Sequence, residues 1–276
     1  MGSLVTDSSA GIIYRQWTVP FPRAVLLLVH GLGAHTGRWG PLSGFFLSNR
    51  ISSYAVALRG FGEAGGVKGH IDSFDVYFKD IRSLYEVAGK ENPGVKIFLL
   101  GESMGALLCF VMACLAPDLA AGLICISPAF RNGLKFAAID YLKMFLPLLY
   151  DPQKRFEMPF DAAMCTRDIN MREKMDADAR EHRLASSKLL FEIAAAQVRA
   201  TFIKNRLKTG VLFLLPGRDK LVDPGASRKI FAGIGSGDKE LIEYPDMYHA
   251  LSIGLGREKV FNDILGWINK RAAKEG

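Results

Sequence analysis

FLLGESMGALL, residues 98–108, sets one serine, Ser103, between Gly101 and Gly105, after one apolar run and ahead of another. The pattern fixes only three of five positions, and in a chain with 28 glycines its flanks must decide what it means. Upstream, VKIFLLGES (95–103) is a continuous apolar run, as a strand buried on both faces should be. Downstream, MGALLCFVMACLA reads as a helix. Strand, Gly-x-Ser-x-Gly, helix is the setting in which such a serine stands exposed on a strained turn. Both glycines are required there, because a side chain at either would strike the neighbouring strand or helix.

Working outward, AVLLLVHG (24–31), SSYAVALRG (52–60) and AGLICISPA (121–129) are further apolar runs. Between SSYAVALRG and VKIFLLGES lies SFDVYFKDIRSLYEVAGK, with Phe74, Tyr77, Phe78, Ile81, Leu84 and Tyr85 at helical spacing and Asp72 or Ser73 as its cap. Alternating strands and helices predict an α/β class with a mostly parallel sheet. After Pro128 the rhythm breaks. Residues 129–207 show no convincing strand and read as a helical insertion, dividing a core of residues 1–128 and 208–276. GVLFLLPGRDKLVDP and KELIEYPDMYHAL then restore the strand-and-turn pattern, and REKVFNDILGWINKR closes with an amphipathic helix.

Composition narrows the function classes. A chain of 276 residues, 49% of them hydrophobic, has ample material for a core. No apolar run is long enough to span a bilayer, the N-terminus carries no secretion-signal pattern, and cysteines set mostly in apolar segments suit a reduced compartment, so a cytoplasmic protein, with peripheral membrane contact as the alternative, is expected. Cys109, Cys114, Cys125 and Cys165 have no metal-type spacing, and no metal or organic cofactor is expected. The net charge of +7 comes from scattered residues, the densest run being INKRAAKEG at the C-terminus. No basic stripe interleaved with aromatics points to nucleic acid.

A serine nucleophile also needs a base, a group to orient that base, and donors for the oxyanion. Of five histidines, only His249, in IEYPDMYHAL, follows a late strand, which makes it the candidate base. The orienting acid should end the strand before it, where LLPGRDKLVDP offers Asp219 and Asp223. Asp219 lies just past the glycine that ends the strand, whereas Asp223 precedes a proline and suits the cap of the next helix. The oxyanion donors should be backbone N–H groups of Met104, after the serine, and Leu32, in the loop after the first buried strand.

Taken together, HGLGAHTGRW, LRGFG, GHIDSFDVYFKDI, PGVKIFLLGESMGA, LLPGRDKLVDP and YPDMYHAL resemble serine α/β-hydrolases of the monoacylglycerol lipase and lysophospholipase type, the Hydrolase_4-like group. The resemblance covers nearly the whole chain outside the insertion. It implies the α/β-hydrolase fold: an eight-stranded, mostly parallel sheet flanked by helices, with a helical cap inserted after the sixth strand. It implies Ser103, Asp219 and His249 as the triad, Leu32 and Met104 as oxyanion donors, and a small lipophilic ester as substrate.

Three departures bear on recognition of the alcohol and leave the triad intact. Ala34 stands where members commonly carry the glutamate that helps bind a monoglyceride head, Glu102 stands where histidine is common, and LRGFG is preceded by Ala57 and contains Phe61. Just beyond the oxyanion loop, His35 and Arg38 either meet a polar head group or anchor the loop. The apolar segment that includes Phe145 and Leu149 either packs on the core, lines an acyl tunnel or touches a bilayer. Short-chain or aryl carboxylesterases, lysophospholipases, thioesterases and non-hydrolytic ligand receptors share this framework and remain the alternatives.

Overall fold

The computed structural model describes residues 2–272; Met1 and residues 273–276, which end the basic C-terminal run, lie outside it. The core opens with strands β1 (Ser3–Asp7), β2 (Ile12–Trp17) and β3 (Ala24–Val29), helix α1 (Gly40–Ser48), and strand β4 (Ile51–Val56). Helix α2 (Phe74–Glu91), strand β5 (Ile97–Glu102), helix α3 (Met104–Leu115) and strand β6 (Gly122–Ile126) follow. The insertion holds α4 (Ala138–Phe145), β7 (Arg155–Glu157), α5 (Ala162–Cys165), α6 (Ile169–Ala177), β8 (Leu184–Ser186) and α7 (Ser187–Ile203). The chain then returns to the core as β9 (Val211–Pro216), α8 (Pro224–Ala232), β10 (Lys239–Tyr244) and α9 (Arg257–Ala272).

Eight of these strands form one sheet in the order β1-β2-β4-β3-β5-β6-β9-β10. Pairing is antiparallel from β1 to β2 and from β2 to β4, and parallel across the rest. The order explains the unbroken apolar runs. In central β3, Val25, Leu27 and Val29 pack toward a layer with Leu84 of α2 and Leu107 of α3, while Ala24, Leu26 and Leu28 pack toward Phe46 of α1 and Trp267 of α9. A strand covered on both faces has no polar side to show. Because β3, β5, β6, β9 and β10 run parallel, the loops leaving their C-terminal ends meet along one edge, where sites form in such sheets.

The insertion departs from expectation. It holds a two-stranded antiparallel ribbon, β7 with β8, where no strand was expected. RFE and LAS are each three residues long, too short to show a period of two. Within the insertion the charged stretch from Ile169 to Phe202 is also interrupted: α6 ends at Ala177, and Ser186 starts α7 by accepting from the Leu189 N–H at 3.1 Å. That serine cap sat in the sequence, hidden within a run of good helix formers. The N-terminal hairpin, β1 with β2, also carries no individual strand signal, since its residues are mostly polar or half-buried.

Candidate active site

The chain turns sharply where β5 gives way to α3. Ser103 has φ 57° and ψ −120°, a left-handed conformation that costs a non-glycine residue of the order of 1–3 kcal/mol. Its neighbours hold it there: the Ser103 N–H donates to Ile126 O at 2.9 Å, and the Ala129 N–H donates to Ser103 O at 3.2 Å. The flanking glycines answer to close backbone approach. A Cβ on Gly101 would lie 2.5 Å from Ala106 N in the first turn of α3. A Cβ on Gly105 would lie 2.6 Å from His30 O and nearer still to Val29 O, at the end of β3.

The oxyanion candidates lie against that turn. Met104 is the first residue of α3, where an N–H has no helical acceptor. Among the described residues neither its N–H nor that of Leu32 has a hydrogen-bond partner. The loop carrying Leu32 is anchored by buried His30, whose Nε2 accepts from the Leu58 N–H at 3.2 Å, leaving Nδ1 to donate to Gly31 O at 2.9 Å. Burial pushes the pKa of His30 down to about 4, so it serves as a neutral staple.

The base and its orienting acid meet directly. His249 Nδ1 lies 2.8 Å from Asp219 Oδ2, and the Asp219 side chain is fully buried. Asp219 Oδ1 accepts from the N–H groups of Leu221 at 2.8 Å and Val222 at 3.0 Å, which fixes the carboxylate. Burial alone would lower the His249 pKa. The charge and hydrogen bond of Asp219, with the charge of Glu102, outweigh burial and Arg38 and raise it above the ordinary imidazole value. Asp223 instead caps α8, its Oδ1 accepting from the Gly225 N–H at 2.8 Å. Ser103 and His249 face one cavity without a hydrogen bond between them; such contacts commonly tighten only when substrate binds.

That cavity has a volume of about 1330 Å³. Leu32, Met104, Ser103, Asp219 and His249 line its floor, and Phe136, Tyr141, Met144, Phe145 and Phe160 of the insertion line its roof. Of the four residues expected to touch substrate, Arg38 and Phe145 border it and two do not. His35 is 3% exposed and turned away from the cavity. It caps the turn Thr36–Trp39 by accepting from the Gly37 N–H at 3.1 Å, and its Nε2 lies 3.1 Å from Asp178 of the insertion. Leu149 is 84% exposed, at the outer end of the turn that follows α4. Periodicity could not foresee either outcome, because each depends on how the insertion lies over the core.

Sequence reasoning missed several contributors. Arg38 grips Glu181 with two hydrogen bonds, Nε to Oε1 at 2.9 Å and a terminal nitrogen to Oε2 at 2.5 Å. His182 stacks on Phe61 at 5.1 Å and lies 3.0 Å from Gly60 O through Nε2. Glu102 accepts from Ser252, three residues past His249. Its place beside the nucleophile was the one available signal. Among the described residues no group of three or more His, Cys, Asp or Glu side chains is arranged to hold a metal ion.

Known proteins resemble this chain over most of its length. The family model Hydrolase_4, described as serine aminopeptidase S33, matches residues 20–253. Human monoglyceride lipase is 27% identical over 284 residues, covering 99% of this chain and 91% of that protein. Phospholipase YtpA of Bacillus subtilis is 29% identical over 252 residues, covering 89% of this chain and 95% of that one. The crystal structure of Paleococcus ferrophilus monoacylglycerol lipase superposes with a TM-score of 0.86 at 26% identity, covering 98% of this chain and 99% of that one.

Proposed function

The chain belongs to the Hydrolase_4 family and is a serine hydrolase, and we propose that it cleaves lipophilic carboxylic esters, monoacylglycerols foremost, through an acyl-enzyme on Ser103. The observation that carries this reading is a strained serine facing an Asp219–His249 pair across a cavity roofed by apolar side chains. Two of the similar proteins above bear monoglyceride or monoacylglycerol lipase as their names.

In the first half-reaction Ser103 Oγ attacks the ester carbonyl carbon while His249 Nε2 takes its proton. The carbonyl oxygen becomes an oxyanion between the N–H groups of Leu32 and Met104, where each donor is worth about 10²–10³ in rate. The C–O bond to the alcohol then breaks, and the imidazolium returns its proton to the departing alkoxide. Asp219 holds the tautomer throughout and stabilises the imidazolium. In the second half-reaction His249 deprotonates a water that attacks the acyl carbon, and Ser103 leaves with the proton. Residues 129–207 act as the cap that shelters these steps, with the acyl chain against Phe136, Met144 and Phe145.

The outer surface of that cap supports delivery from a lipid surface. Ile139, Leu142, Leu146 and Leu149 are all exposed on α4 and the turn after it, beside the Phe145 that lines the cavity. Among the described residues no helix is long and apolar enough to cross a membrane, so the contact proposed is peripheral.

An ester series with acyl chains from C2 to C18 on p-nitrophenol and on glycerol, with Ser103→Ala as control, tests the substrate. A Ser103-dependent rate that rises with chain length and persists on glycerol is expected. Turnover confined to short aryl esters would make this a general carboxylesterase instead. A lysophospholipid arm tests the second reading, favoured by the similarity to a phospholipase.

A further inference from the structure

His249 sits in an irregular segment between β10 and α9, so its aim is set by what that segment is bonded to. Ser127 Oγ donates to His249 O at 2.6 Å, and the Ala250 N–H donates to Cys165 O in the cap at 2.9 Å. Before His249, the Arg218 N–H donates to Met247 O at 3.0 Å, and after it a tether comes from the nucleophile's own strand. Glu102, the last residue of β5, accepts from Ser252 N–H through Oε1 at 3.2 Å and from Ser252 Oγ through Oε2 at 2.8 Å. Glu102 is 6% exposed, and no Lys, Arg or His pairs with it within 4 Å among the described residues. A buried carboxylate held only by neutral donors is costly, and an apolar residue of similar size would spare that cost.

We propose that Glu102 is a positioning residue for the acyl transfer described above: its carboxylate ties the His249 segment to the serine turn through Ser252 and holds negative charge near the imidazole. This inference rests on Ser103 and His249 acting as nucleophile and base. It explains why a carboxylate is placed there. The tether limits how far His249 can drift from Ser103, to which no hydrogen bond yet joins it, and the charge favours the imidazolium formed in the transition state. Three charged side chains act on the imidazole, and a fourth titratable group beside it does not. Asp219 and Glu102 favour its protonation, Arg38 opposes it from the turn after the oxyanion loop, and buried Cys165 in the cap stays a neutral thiol, its pKa pushed up to about 11 by burial.

The test compares wild type, Glu102→Gln and Ser252→Ala in the pH dependence of kcat/KM on a water-soluble p-nitrophenyl ester, with fluorophosphonate labelling alongside. Glu102→Gln keeps the shape and removes the charge; it is expected to lower kcat/KM about 10-fold, the scale of one charge-assisted hydrogen bond. It should act through kcat rather than KM and move the acid limb to lower pH. Ser252→Ala loosens the tether but keeps the charge, so the rate should fall while the acid limb stays nearer its original place. Rates within twofold of wild type in both variants would overturn the proposal, and so would a slower Glu102→Gln enzyme whose acid limb has not moved. Should Glu102→Gln fail to fold, an unchanged rate in Ser252→Ala overturns the tether by itself. Labelling that persists in Ser103→Ala would instead strike the underlying reading, which keeps the two failures apart.

Discussion

The floor and the roof of the cavity are built on different principles. The floor is made of strand ends, and its key residues are fixed by backbone contacts: Gly105 against Val29 and His30, Ser103 against Ile126, Asp219 against the N–H groups of Leu221 and Val222. The roof is made of short helices and a three-residue ribbon. It is joined to the floor by side-chain pairs, Arg38 with Glu181 and His35 with Asp178, by the ring stack of His182 on Phe61, and by single backbone hydrogen bonds such as Ser186 N–H to Gly69 O at 2.8 Å and Ala250 N–H to Cys165 O at 2.9 Å. Chemistry that tolerates little displacement sits on the rigid part. Under the proposed function, recognition, which can vary among ester hydrolases, falls to the part built from short elements joined at scattered points.

The largest effects should therefore come from the floor. Ser103→Ala is expected to lower kcat by about 10⁴-fold or more, and Asp219→Asn by about 10⁴-fold with little change in stability. Asp223→Asn should leave turnover within about twofold, since asparagine caps a helix as well as aspartate does. If Asp223→Asn were the crippled variant and Asp219→Asn were not, the orienting acid would be misassigned. Gly105→Ala should fail at folding, with a loss of more than about 4 kcal/mol in chemical denaturation, because Cβ has nowhere to go.

The same contrast governs what the sequence could tell. Gly101, Ser103, Gly105, Asp219 and His249 obey local rules: a buried run, a turn with two obligatory glycines, an acid and a histidine after late strands. Local rules are visible in one dimension, and the central strands and α2 were legible for the same reason, with the cap narrowed to Asp72 or Ser73, of which Ser73 serves. Glu181, His182 and Asp178 obey no local rule. Their roles exist only once residues 178–182 lie across the oxyanion loop, a contact more than 140 positions distant for Arg38 and Glu181. The choice for His35 between head group and anchor stayed open because its partner is one of these distant groups, and that for Leu149 because exposure at the end of a cap helix leaves no trace in an apolar run.

Effects of intermediate size should come from the junction between floor and roof. Glu181 neutralises Arg38 at the cavity's edge. Glu181→Gln is expected to free the guanidinium and raise kcat/KM on an anionic lysophospholipid, relative to a monoacylglycerol, by about 5- to 10-fold. An unchanged ratio would mean that Arg38 does not see the head group. The pH profile reads the floor again. His249 must be neutral to act as a base, and its pKa is raised, so kcat/KM should fall with decreasing pH through a value above 6.5. Asp219→Asn should move that limb downward, because it removes the charge that raises it.

The smallest effects should lie on the outer surface of the roof. Leu149→Ser should change stability by less than about 0.5 kcal/mol and leave hydrolysis of soluble esters intact. Its expected consequence is weaker sedimentation with phospholipid vesicles, and equal sedimentation would remove the lipid contact from the account.

The most direct measurement is the mass of the intact protein after exposure to a fluorophosphonate, followed by mapping of the modified peptide. A single adduct on Ser103, absent from Ser103→Ala and slowed in Asp219→Asn, is the predicted result. Labelling on another residue, or labelling of Ser103→Ala at the wild-type rate, would contradict the assignment of Ser103 as the nucleophile.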